Sequence, residues 1–334
     1  MAHNQRIFYA CQAVAIVPRG VQTLTGDHMV RGLQTVGMSS TFTLDQVFEM
    51  GQIAIYENIE EVADIEVTLE KVIDGFKLIY DLATNGKCKT SIVDSSKQRT
   101  DVYLAVFDDG QDNATGTPQT VCMNSGMYVS SVSYSYSIDG SATESVTMVG
   151  NDRFWNSSFA AIGRDPKTSW GTVATGFATE TPVSGVVRRV DVDILNSNLP
   201  DEVLSQMGND AINLSKGAHV QSISVSTDFG QENIQELGRF GPYHRYATFP
   251  IEVTSEFEVI ATSGDLVSVS GSHPNLQNRQ IVVRDTAGTI LDLGSNNKLA
   301  SVSYSGADTG GGNATVSYSF SNFNVLKVDG GKTA

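Results

Sequence analysis

The sequence predicts a mainly β chain built as two tandem copies of one domain, each a β-sandwich or half-barrel with a short flanking helix and a long hairpin. Three observations carry that expectation. The 334 residues are the length of two ordinary domains. Apolar and polar residues alternate with period two over several stretches rich in Val, Ile, Thr and Tyr. The chain also resembles itself at a long offset, which is the mark of a duplicated unit. With 40% apolar and 18% charged residues it can bury a core and is not compositionally disordered.

The internal repeat organises everything else. At an offset of 187, residues 33–56 fall on 220–243 without a gap and bring together Gln34/Gln221, Ser39/Ser226, Phe42/Phe229, Glu49/Glu236, Gly51/Gly238 and Tyr56/Tyr243. At an offset of 186, residues 65–70 (IEVTLE) fall on 251–256 (IEVTSE). At an offset of 170, the run Ser-Val-Ser-Tyr-Ser of residues 131–135 recurs at 301–305. Three blocks in one order, with loops absorbing the change of offset, imply duplication.

The elements follow in chain order. Residues 6–18 are apolar enough for an opening strand. In the next strand Ser222, Ser224 and Ser226 alternate with Ile223 and Val225, and residues 33–41 form its counterpart. Thr43 with Gln46 resembles a capping box, so residues 47–50 are expected as a short helix stopped at Gly51, and likewise at Gly238. Residues 65–70 are a β-branched strand. Residues 70–84 are the best helix candidate, with Ile73, Phe76, Ile79, Tyr80 and Ala83 at helical spacing and Asn85-Gly86 closing it, although Gly75 weakens the pattern. Residues 128–137 and 145–149 form a hairpin about Asp139-Gly140, and 299–305 and 314–320 form its copy. Residues 184–195, with Val/Ile alternation, are expected to open the second copy. The boundaries are therefore 1–150, a connection at 151–183, and 184–334. The connection carries Trp155, Phe159, Trp170 and Phe177, too aromatic for a free linker, and is read as packing against a neighbour.

The net charge of −15 and pI near 4.6 exclude a protein that grips phosphate backbones with Lys and Arg. They suit a surface that DNA passes without being held. Three Cys (Cys11, Cys88, Cys122) are too few and too scattered for a disulfide framework and are read as reduced and structural. The polar N-terminus and the lack of a long apolar run predict neither signal peptide nor membrane helix, hence synthesis and assembly in a cytoplasm.

Candidate chemistry gives way in each case to a plainer reading. The Asp108–Asn113 run, a possible calcium loop, departs from the EF-hand spacing and reads as a solvated turn. Asp191 and Asp193 share one face of an expected strand without an acid or metal partner. The histidines (His3, His28, His219, His244, His273) lack ligand spacing, and the glycine cluster of 306–312 lacks the Lys-Ser/Thr end of a phosphate loop. No catalytic, cofactor-binding or metal-ligating residue is assigned, and the chain is read as no enzyme.

The Gln-Ser/Thr-Val/Ile strand, acidic turn, Glu-Met/Leu-Gly stop, Tyr and Ile-Glu-Val-Thr strand resemble the tube, or major tail, proteins of long-tailed bacteriophages. The end of the first copy, residues 143–152 (TESVTMVGND), is similar to that group as well. The resemblance implies long hairpins joined edge to edge into an inner barrel, six domains to a ring, and rings stacked into a conduit for DNA in the virion tail. Two domains per chain then imply a homotrimeric, pseudo-sixfold ring. The implied partners are further copies of the chain and other tail proteins (tape measure, terminator, baseplate, a sheath where present), with DNA only as cargo, no cofactor and no membrane. The alternatives are another tail ring component, or a carbohydrate- or cell-surface-binding β module that stacks sugars on Trp155 and Trp170.

Overall fold

A computed structural model describes residues 6–21, 23–110, 113–114, 116–155, 170, 182–207, 219–271, 276–307, 309 and 311–330. The fold is mainly β. Its strands are β1 (Gln12–Pro18), β2 (Leu33–Thr41), β3 (Leu44–Phe48), β4 (Ile55–Glu60), β5 (Asp64–Val72), β6 (Thr100–Val106), β7 (Thr120–Ser137), β8 (Thr143–Gly150) and β9 (Asp152–Trp155). They continue as β10 (Val220–Asp228), β11 (Gln231–Ile234), β12 (His244–Ala247), β13 (Glu252–Ile260), β14 (Val282–Arg284), β15 (Ile290–Asp292), β16 (Lys298–Ser305), β17 (Thr315–Phe323) and β18 (Lys327–Asp329). The described α-helices are α1 (Ile79–Ala83), α2 (Ile92–Ser96) and α3 (Asp201–Leu204). Among the described residues no helix is long and apolar enough to cross a membrane.

One antiparallel sheet dominates, in the order β16-β17-β13-β10-β7-β8-β5-β2. Its two halves have the same topology. Strands β2, β5, β8 and β7 of the first half correspond to β10, β13, β17 and β16 of the second, and both ladders break register at matching places. One break lies between Leu33 and Thr35 and again between Val220 and Ser222. The other lies between Val129 and Ser131 and again between Leu299 and Ser301. Bulges re-aim strands and are specified features, so their recurrence fixes the offsets of 187 and 170 independently of residue identity.

The third offset needs correction. Val36 faces Leu69 and Ile223 faces Phe257, so β5 maps onto β13 at an offset of 188 rather than 186. A slip of two residues keeps every side chain on its own face, which is why IEVT aligns with IEVT in sequence while the ladder pairs differently.

One face of the sheet is polar and open, carrying Ser222, Ser224 and Ser226, Ser131, Ser133 and Ser135, and the carboxylates of Glu66, Glu70, Glu252, Glu256 and Glu258. The other face packs Val67, Leu69, Val146, Ile223, Phe257 and Phe320 into a core shared by both halves. Covering that face are α1, α2 and two smaller sheets. β7 runs on beyond the main sheet to pair with β6 and β9, with β1 outside β6, over a second core that includes Ala15, Val17, Tyr103 and Met123. Behind the second half lies β14-β15-β18.

Three sequence expectations change. The short helix at 47–50 is a β-hairpin, β3 with β4, and β11 with β12 repeats it. Val47, Phe48, Ile55 and Tyr56 suit a ladder, while Gly51 (φ 108) and Gly238 (φ 83) lie in the loops between the paired strands. The helix at 70–84 shrinks to Ile79–Ala83, because Gly75 adopts φ 84 and residues 70–72 complete β5; Asn85 and Gly86, both at positive φ, close it as expected. Residues 184–195 form turns rather than a strand. The Asp191 carboxylate accepts the Arg188 N–H (2.9 Å) and that of Asp193 the Asn196 N–H (3.2 Å), local bonds that compete with a ladder.

Candidate assembly interface

The two halves meet where β10 lies along β7. Ser226 faces Ser133, Val225 faces Tyr134 and Ile223 faces Tyr136. Just beyond β10, Phe229 is fully buried against the Tyr80 ring (centroids 6.1 Å apart) and donates its N–H to the Ser130 carbonyl (2.8 Å). The β11–β12 hairpin then folds back over the first half. Gln231 donates to the Val129 carbonyl (3.0 Å), Arg245 pairs with Asp64 (2.5 Å) and reaches Asn151 (3.3 Å), and the Tyr128 hydroxyl hydrogen-bonds His244 Nδ1. Burial and the nearby Arg99 and Arg19 guanidiniums lower the His244 pKa, favouring the neutral ring that this contact uses.

The same surfaces recur, open, at the two ends of the sheet. Among the described residues, β2, the β10 of the first half, pairs only with β5, and β16, the β7 of the second half, pairs only with β17. Tyr134 is 1% exposed at the internal joint and its counterpart Tyr304 is 52% exposed. Phe229 is 0% exposed and its counterpart Phe42 is 72% exposed. The β3–β4 hairpin, whose counterpart is seated on the first half, displays Leu44 and Phe48 to solvent, while the tips of both hairpins are exposed alike, with Met50 and Ile53 in one and Leu237 and Phe240 in the other. Each half therefore has a plug edge and a socket edge, and the chain satisfies one plug and one socket internally.

Beside the internal joint lies a cleft of 440 Å³ whose lining includes Arg19, Arg99, Arg239, Arg245, Tyr128 and His244. Sequence reading missed this cationic corner in an acidic protein because its arginines come from three separate segments, around Arg19, Arg99 and the β11–β12 hairpin, with no shared spacing. The importance of Phe42 was legible only as an identity with Phe229; nothing in the sequence separates a buried copy from an exposed one.

The remaining singled-out residues are accounted for one by one. Asp108 bonds the Gly110 N–H (2.9 Å) and the Gln119 amide (3.1 Å), which is turn geometry. His28 Nδ1 accepts the Thr25 N–H (3.1 Å), and His219 sits at φ 47 before β10. His3, His273, Phe159 and Phe177 lie outside the described residues. Of the glycine cluster, Gly306, Ala307, Thr309, Gly311 and Gly312 lie between β16 and β17, and Asp308 and Gly310 lie outside the described residues. Cys11, Cys88 and Cys122 are free and buried, and burial pushes the Cys122 thiol up to about 11. Among the described residues no group of three His, Cys, Asp or Glu side chains converges on a point. The pair of sugar-stacking tryptophans does not exist: Trp155 is exposed on β9, but Trp170 is wholly buried beside Phe107, because the second core needs a large apolar filler there.

No protein-family model matches the chain, and no curated protein matches it. Among solved structures it is similar to a chain of the six-fold symmetrised anti-feeding prophage baseplate, with 12% identity, a TM-score of 0.33, and 46% of this chain and 97% of that one covered. It is similar also to a chain of the tube-terminating cap of the anti-feeding prophage (11%, 0.34, 47% and 94%). A third is a chain of the PVC sheath–tube complex, an extracellular contractile injection system in its extended state (11%, 0.33, 46% and 93%).

Proposed function

We propose that this chain is a structural protein that closes head to tail into rings, and that stacked rings form the tube of a bacteriophage tail through which DNA leaves the virion. The observation that carries the reading is the pair Phe229 and Phe42: one plug is seated inside the chain and its twin stands in solvent at the far edge of the same sheet. A plug edge and a socket edge at opposite ends of one sheet make a heterologous contact, and such contacts generate rings when the rotation closes. Closure also removes two exposed strand edges that are an aggregation hazard in a free monomer.

Applying the internal joint to the open edges gives its register. With β2 in place of β10 and β16 in place of β7, Ser39 faces Ser303 and Met38 faces Tyr304 of the next copy, as Ser226 faces Ser133 and Val225 faces Tyr134. The layer of helices and small sheets covers the apolar face, so only the polar face is free to line a lumen. That face is Ser and Thr with Glu66, Glu70, Glu252, Glu256 and Glu258, a wall of the same sign as DNA that offers no counterion release to hold it. Each chain contributes eight strands to the wall. Three chains at a strand spacing of ~4.8 Å and a tilt of ~40° close a circle about 50 Å across between strand axes, whereas six chains close one about 100 Å across. The smaller bore fits a single duplex, which favours the trimer.

The test is a cysteine pair at the inferred register. Ser39→Cys with Ser303→Cys should give, on oxidation, a covalent ladder ending at a closed trimer, while Ser39→Cys with Ser301→Cys should not. Negative-stain images of the same sample should hold rings with a central hole. Protein that stays monomeric at high concentration in every salt, with no crosslink from either pair, overturns the reading.

A further inference from the structure

We propose that the joint between chains is keyed by an ion pair, Glu57 of one copy with Lys298 of the next, at the place where the joint inside the chain holds the neutral Tyr128–His244 contact. The proposal rests on the ring reading and adds a specificity element to it. Its basis is strand pairing, which fixes each equivalence without reference to residue identity. In the two hairpins Val47 faces Glu57 and Ile234 faces His244, so Glu57 stands where His244 stands in the other half. In the two long hairpins Tyr128 faces Val149 and Lys298 faces Ser321, and the bulge that follows each fixes Lys298 at the place of Tyr128.

Inside the chain the Tyr128 hydroxyl meets His244 Nδ1 at hydrogen-bond distance. A Lys and a Glu side chain together span about the reach of a Tyr and a His, so the same backbone separation brings ammonium to carboxylate. Both residues are exposed in the single chain, and neither enters an ion pair among the described residues. The surroundings agree in sign. Residues 42–61 carry Asp45, Glu49, Glu57, Glu60 and Glu61 and no Lys or Arg. The next contact along changes as well: the Arg245–Asp64 ion pair of the internal joint becomes Asn58 against Glu252. The charge is thus moved from one position to its neighbour, and the two joints read differently although they share one backbone plan. Pairing that differs in this way lets a chain distinguish its own second half from another chain's first.

The experiment is charge reversal read by sedimentation velocity at low and high salt. Glu57→Lys and Lys298→Glu should each lower the ring association constant about tenfold at low salt, since a small mismatch is multiplied over every joint. Glu57→Lys with Lys298→Glu in one chain should restore it, and added salt should shrink the differences. Rings indifferent to either single reversal, or not restored by the double one, overturn the pair and leave the ring reading standing. Wild-type protein that forms no closed assembly overturns both.

Discussion

Phe42 and Phe229 occupy equivalent places in two copies of one sheet, follow strands of identical length and register, and differ only in whether a socket is present. The comparison teaches that exposure of a large apolar side chain in a single chain is no measure of its role: the same position is fully buried in one copy and exposed in the other. It also gives the sharpest way to break the scheme. Phe229→Ala opens a cavity in the core of the isolated chain and should cost about 4 kcal/mol in a denaturant titration. Phe42→Ala should leave the monomer's stability unchanged and abolish rings. Equal effects of the two substitutions on the monomer would mean that the halves are not equivalent at this point.

Behind the shared ladder the two halves differ in kind. Glu144 is completely buried, and its carboxylate takes the Ile79 N–H (2.6 Å), the Tyr80 N–H (3.0 Å) and the Tyr134 hydroxyl (3.0 Å), so that it fixes the start of α1. Lys71, also buried, is held by Asp74 (3.1 Å) and the Lys77 carbonyl (3.0 Å). In the second half the ladder puts Val316 in place of Glu144 and Val259 in place of Lys71. There the polar centre is the neutral Gln206, which donates to the Tyr318 hydroxyl (2.8 Å) and accepts the Thr262 N–H (3.0 Å). Importing the second half's residue by Glu144→Val should therefore cost about 3 kcal/mol, by stranding the buried Ile79 and Tyr80 N–H groups and the Tyr134 hydroxyl. Desolvation by burial raises the Glu144 pKa from its ordinary 4.5, against the pull of Lys71 and the N–H donors. A proton is thus held more tightly in the folded chain. The stability this group contributes is full below 4.5 and is lost as pH rises through the higher folded value. Glu144→Gln should flatten that part of the stability–pH curve; an unchanged slope would assign it to another group.

These differences mark what the sequence could disclose. Period-two alternation and the repeat identified the ladder strands, the long Ser-Tyr hairpins and the duplication, because a half-buried strand writes its two faces directly into the residue order. The β3–β4 hairpin carries the signals of a helix, since Thr43, Gln46 and Gly51 mimic helix caps and both faces of that hairpin are open to solvent, leaving no alternation to read. The strand expected at 184–195 failed because the Asp side chains at 191 and 193 bind their own backbone. The edges themselves were legible as an expectation of exposed strands. The proposed match of β2 to β16 rests on the register of β7 on β10, which no residue pattern encodes.

The smallest effect decides the number of chains. Mixing Glu57→Lys protein with Lys298→Glu protein in equal amounts lets the two kinds alternate, and every joint between unlike chains then pairs opposite charges. A ring with an even number of chains accommodates this completely and should assemble as well as wild type. A ring of three cannot alternate: two like chains must meet once, so one joint in three stays mismatched. Its association constant should fall about twofold at low salt, where each single variant alone falls about tenfold. The residual deficit is a consequence of parity and of nothing else in the structure, and it should vanish at high salt together with the penalty of the single variants. A mixture indistinguishable from wild type at low salt would therefore make the ring even-numbered and remove the trimer while leaving the charge key intact.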